Sequence, residues 1–200
     1  MTDAMNSERR YGTVAMSLHW LIALLVLGNL CSGFLFANVL GHDAPFRFTI
    51  LQIHKSVGLT VLVLSVARLI WRLVNTIPPL PNDLSPFLKV VARATHYLFY
   101  FLIIAIPLAG WAMVSASRTG IPTLYFGLFH WPNMSFIANL PMDQKKADGH
   151  LFGTAHAWMA YSAAALIVLH VSAALWHHYH FRDTVLKRMW FGTDVSRRPA

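Results

Sequence analysis

Four apolar runs, near residues 17–39, 50–74, 95–114 and 152–175, leave this 200-residue chain few ways to fold. Each has about the 20 residues that a helix needs to cross a hydrocarbon layer of about 30 Å. Inside lipid every backbone N–H and C=O must find a partner within the protein, and a helix satisfies its own. Composition agrees: 56% of residues are hydrophobic, 12% are charged and the mean hydropathy is +0.49, too little polar surface to coat a soluble domain of this size. The expected fold is all-α, an integral membrane four-helix bundle forming a single domain over residues 1–200. Its helices are expected at about 14–39, 50–74, 93–115 and 151–179, with a long loop over 116–149. Gly120, Pro122, Pro132 and Pro141 break that loop, and the Pro78-Pro79-Leu80-Pro81 run separates helices 2 and 3. There is no internal repeat, low-complexity tract or second soluble domain.

Charge sets the expected orientation. Eleven of the 16 Lys and Arg residues fall before helix 1, around the helix 2–3 connection and in the tail. Arg47, Lys55, Arg118, Lys145 and Lys146 fall on the other side. The positive-inside rule then puts both termini in the cytoplasm. Anionic lipid headgroups account for the net charge of +8 and the pI of about 10.1, and no nucleic-acid partner is expected. The first run follows Arg9 and Arg10, but it exceeds a signal peptide's apolar region of about 7–15 residues and lacks a small-x-small site, so a retained anchor is expected. Cys31 has no second cysteine to pair with and reads as a packing residue.

His19, His54, His156 and His170 sit inside these runs, where an imidazole needs a partner or a metal. With helices 1 and 2 antiparallel and helix 4 parallel to helix 2, His54 and His156 share the outer level. His19 and His170 share the inner one. Positions 156 and 170 are 14 residues apart, about 21 Å along a helix and within about 40° of one face. Haem b iron takes two axial imidazoles and a bundle core can hold the macrocycle, so two stacked b haems suit the pattern. Zinc usually gathers three or four ligands at close spacing, and no such cluster lies in the runs. His96 lies at a depth similar to that of His19; it is either an alternative inner ligand or a contact to a propionate or quinone. Arg68 and Arg72, four apart on one helical face, suit inner haem propionates or plain positive-inside duty. Trp20, Trp71 and Trp190 read as interface anchors.

The segments Ser17-Leu18-His19-Trp20, Ile53-His54-Lys55-Ser56-Val57-Gly58 and Arg68-Leu69-Ile70-Trp71-Arg72 before Pro78-Pro79, with His156 through His170 to His177-His178-Tyr179, resemble bacterial cytochrome b561 across almost the whole chain. Within it they resemble the superoxide oxidase branch, the superoxide:ubiquinone oxidoreductases. One departure is Arg93, where related sequences can carry a histidine. The resemblance implies a bacterial inner-membrane enzyme with two haem b groups on His19, His54, His156 and His170. It takes electrons from periplasmic superoxide, passes them from the outer to the inner haem and reduces ubiquinone. No obligatory protein partner is expected beyond membrane lipid. Superoxide is an anion, so outer basic groups would steer it, with Arg118 suited to a funnel and Lys55 to a propionate. Quinone reduction consumes protons, and Ser17 and His177 near the inner surface are its candidate contacts. Two other readings are a cytochrome subunit linking quinone to a separate dehydrogenase or hydrogenase, and a haem-free transporter with a histidine proton relay. The second lacks intramembrane Asp or Glu.

Overall fold

A computed structural model describes residues 4–7, 10–41, 43–80, 84–117 and 121–192. Its long helices are α1 (Thr13–Phe34), α2 (Arg47–Val74), α3 (Pro86–Ser115) and α5 (Met142–Trp176). Helix α1 runs on through a π-helical stretch, Leu35–Val39, and α5 through another, His177–Phe181. A hairpin of β1 (Thr123–Tyr125) and β2 (Phe129–Trp131) and the short α4 (Ser135–Ala138) lie between α3 and α5. All four long helices are long and apolar enough to cross a membrane.

Three helices begin before their apolar runs. Helix α3 starts at Pro86 rather than near 93, α5 at Met142 rather than near 151, and α2 at Arg47 rather than near 50. Hydropathy detects only the part of a helix in hydrocarbon, whereas polar turns that project beyond it are set by caps. Ser85 caps α3, its hydroxyl accepting from Leu88 N at 3.3 Å, with Pro86 in the first turn. Pro141 precedes α5, so the loop is shorter than 116–149 and contains the hairpin and α4.

Helix α1 packs on α2, α2 on α3 and α3 on α5, whereas α1 and α5 have no comparable backbone packing. Outward side chains such as Leu73 (76% exposed) and Leu169 (66%) are apolar, as lipid requires. Both described ends of the chain lie at one end of the bundle, where Trp20 Nε1 donates to Met189 O at 2.8 Å and Trp20 packs edge-on against Trp190. This is the terminal end of the bundle; the opposite one, where β1 and β2 lie, is the hairpin end.

Candidate functional site

A cavity of about 1450 Å³ runs through the bundle, lined by all four long helices and by both members of each histidine pair. Sites for one small ligand reach about 300–1,000 Å³. This space exceeds a single ligand's need.

At the hairpin end, the His54 and His156 ring centroids are 6.0 Å apart. Their backbone surroundings admit the rings and set their tautomers. His54 Nδ1 lies 3.2 Å from Asn29 O and 3.1 Å from Ser32 Oγ. His156 Nδ1 lies 2.9 Å from Ile106 O. A carbonyl only accepts, so in both rings Nδ1 carries the proton and Nε2 is left as the nitrogen a metal takes. A Cβ at Gly33 would lie 3.0 Å from His54 Cε1, and one at Gly110 would lie 3.1 Å from His156 Cε1 and Nδ1. These two glycines leave room for the imidazoles.

At the terminal end, the His170 ring faces two other imidazoles, His19 at 6.5 Å and His96 at 6.4 Å between ring centroids, with Phe99 edge-on at 5.2 Å. Arg68 Nη1 lies 2.9 Å from His19 Nδ1. A guanidinium has donors only, so His19 Nδ1 accepts here, the reverse of His54 and His156. Arg72 stacks over Tyr100 with Cζ 5.2 Å from the ring centroid. Beside them, Trp71 Nε1 is buried, lines the cavity and has no partner among the described residues. An acceptor from a bound group would satisfy it.

The donor set fits a haem. The ring centroids of the pairs lie 6.0–6.5 Å apart, enough for one metal ion to be held between them at about 2 Å from a nitrogen of each ring. Among the described residues no three His, Cys, Asp or Glu side chains converge to hold a metal ion. Two protein ligands suffice where a macrocycle supplies the rest.

The other candidates are placed less centrally. Lys55 lines the cavity, but its ammonium donates to Pro122 O at 3.0 Å. Arg118 lies outside the described residues. Ser17 is exposed and is not part of the cavity lining. His177, also outside the lining, pairs with Asp183, Nδ1 to Oδ2 2.5 Å. Asp183 Oδ1 also accepts from Val185 N at 2.9 Å. Asn29, Ser32 and Asp183 were not singled out from the sequence. The available signal was spacing: Asn29, Ser32 and Gly33 form an i, i+3, i+4 polar and small face inside an apolar helix, and Asp183 is the first acid after the His177 cluster.

The family profile described as prokaryotic cytochrome b561 matches residues 10–192. The chain is 34% identical over 185 residues to cytochrome b561 homolog 2 of Escherichia coli (strain K12), covering 92% of this chain and 93% of that protein. It is 31% identical over 184 residues to probable superoxide oxidase CybB of Yersinia pestis, covering 91% and 96%. Cytochrome b561 homolog 1 of Escherichia coli (strain K12) is 26% identical over 182 residues, with 90% and 96% covered.

Proposed function

Because the chain belongs to the prokaryotic cytochrome b561 family, whose members are haem b proteins of the membrane, we propose that it is a di-haem superoxide:ubiquinone oxidoreductase of the bacterial inner membrane, with both termini cytoplasmic. The observation that carries this reading is one cavity joining two imidazole pairs, at the hairpin end and at the terminal end. Haem b supplies one-electron acceptance and donation at each of these levels when bound. Two superoxide anions yield two O₂ and two electrons, and ubiquinone takes up those electrons with two protons to become ubiquinol.

The residues divide this work by position. His54 and His156 hold the group nearer the periplasm, their Nδ1 protons anchored on Asn29 and Ile106 carbonyls. His170 and His19 hold the other, with His96 beside them as a contact. A carboxylate is a stronger partner for a guanidinium than an imidazole is. A propionate reaching Arg68 would therefore release His19 Nδ1, with Arg72 as a second cation for that end. Lys55 and Arg118, with Arg47, Lys145 and Lys146, supply positive charge where superoxide arrives. Ser17 and His177 lie at the end where quinone and cytoplasmic protons would meet, His177 held by Asp183.

The test is a pulse of superoxide added to purified, oxidised protein in detergent, with haem absorbance followed in time and ubiquinone then supplied. Fast haem reduction followed by quinone-dependent reoxidation is expected. A haem-loaded protein that ignores superoxide would identify an electron-transfer subunit for a separate dehydrogenase or hydrogenase, and a protein that takes up no haem would overturn both.

A further inference from the structure

Helix α2 carries a polar stripe on the side away from its haem-facing histidine. Gln52, Ser56 and Thr60 follow one another at i, i+4 and i+8, and His54 lies two residues from both Gln52 and Ser56, about 160–200° around the axis. In a spanning helix such a stripe would meet lipid and leave its polar groups without water. The hairpin covers it.

The contact is built group by group. Gln52 Nε2 donates to Pro122 O at 2.9 Å, joined there by Lys55 Nζ at 3.0 Å. Gln52 Oε1 accepts from Leu124 N at 3.1 Å. The Ser56 hydroxyl, fully buried, lies 2.8 Å from Gln52 O and 3.1 Å from Leu124 O, and it accepts from Phe126 N at 2.9 Å. Thr60 Oγ1 and the Tyr125 hydroxyl are 2.9 Å apart. Thus Pro122 O, Leu124 N, Leu124 O and Phe126 N, one face of an extended backbone, are all paired with side chains of α2. A sheet edge in water leaves such groups to solvent; a sheet edge in hydrocarbon must have them paired.

Depth follows from the same bonds. The contacts descend from Gln52 to Thr60, and Thr60 lies midway along α2. Ser56, which holds Leu124 and Phe126, is nine residues beyond Arg47, about 13–14 Å along the helix. The chain reverses below this level through two left-handed residues, Phe126 (φ 48°) and Gly127 (φ 75°), with Leu128 N donating to Tyr125 O at 2.9 Å. The tip is apolar and uncovered: Leu128 is 78% exposed, and Phe126 and Phe129 are about half exposed.

We propose that Thr123–Trp131 is a re-entrant hairpin whose tip, Phe126 to Phe129, lies among the acyl chains of the leaflet nearer His54 and His156. Its partner is lipid. The proposal depends on α2 spanning the bilayer and not on the electron donor or acceptor.

The full haem-loaded chain in phosphatidylcholine proteoliposomes tests it. In a Cys31→Ser background, a nitroxide is attached at Leu128→Cys, at Val63→Cys on the outer face of α2, or at His150→Cys near the start of α5. Power-saturation EPR then compares access to O₂ with access to a water-soluble nickel chelate. A Leu128 label that prefers O₂ as strongly as the Val63 label, and severalfold more than the His150 label, is expected. A Leu128 label as open to nickel as the His150 label would overturn the proposal, as would dipolar broadening at Leu128 that shows a second copy of the chain covering the tip. Ser56→Ala, which removes the hydroxyl holding Leu124 O and Phe126 N, is expected to leave the haem spectrum unchanged and to raise label mobility and nickel access at Leu128. Unchanged values in that variant would mean that the stripe does not hold the hairpin.

Discussion

Asn29, Ser32 and Gly33 form a short cradle on α1 that receives the His54 ring, and Ile106 and Gly110 do the same on α3 for His156. The two glycines matter through absence of bulk. Gly33→Ala and Gly110→Ala each bring a methyl group within about 3 Å of a ring, tighter than ordinary packing allows. Each variant is expected to bind about one haem per chain instead of two, or to show a shifted spectrum at one level; two unshifted haems in both would contradict the assignment. At the other end, distance does not separate His19 from His96, since both sit about 6.5 Å from His170. Their substitution does: His19→Leu is expected to halve the haem content measured as pyridine haemochrome, and His96→Leu to preserve it. The reverse pattern would make His96 the ligand. The four histidines were legible from depth alone, because a rise of about 1.5 Å per residue ties sequence position to level in the membrane. Asn29 and Ser32 were not, because a single polar residue in an apolar helix does not reveal which ring it faces.

The spanning helices were legible where they cross lipid and indistinct at their starts: the α5 segment from Met142 is polar, and in the α3 segment from Pro86 Lys89 and Arg93 interrupt the apolar run. The C-terminal end of α5 was also indistinct. There the helix widens into a π-helical stretch and stops at Arg182, a non-glycine residue at φ 49°, which turns Asp183 back onto His177. Stretches of this kind are frequent at functional sites. If His177 passes protons toward quinone, Asp183 positions it. Asp183→Asn is then expected to leave haem reduction by superoxide unchanged and to slow quinone-dependent reoxidation roughly 10-fold, less than the 10²–10⁴ of a general acid or base itself. Equal slowing of both phases would point instead to a structural role.

For the molecule as a whole, the cavity enclosed by the four long helices makes stability depend on what fills it. A ligand present at a thousand times its dissociation constant adds about 4 kcal/mol, and 1 kcal/mol shifts a domain of this size by about 2–4 °C. Haem-depleted protein is therefore expected to melt roughly 10 °C lower, a difference readable by intrinsic fluorescence; equal melting temperatures would argue that the bundle stands without its cofactors. The electrostatic field is weaker than the net charge of +8 suggests, because in the sequence Asp43, Asp143 and Asp148 fall in the same connections as Arg47, Lys55, Arg118, Lys145 and Lys146 and offset them. Superoxide capture is expected to fall with salt, but by less than about 10-fold, the low end of electrostatic steering. The sequence by itself determined four spanning helices, their order and the level of each histidine, because hydrocarbon thickness and helical rise convert position directly into depth. Only the tertiary structure decided which partners hold each ring, that His170 faces both His19 and His96, and that a hairpin covers the outer side of α2. Those outcomes depend on rotation and contact between segments up to about 150 residues apart in sequence, which no local periodicity encodes.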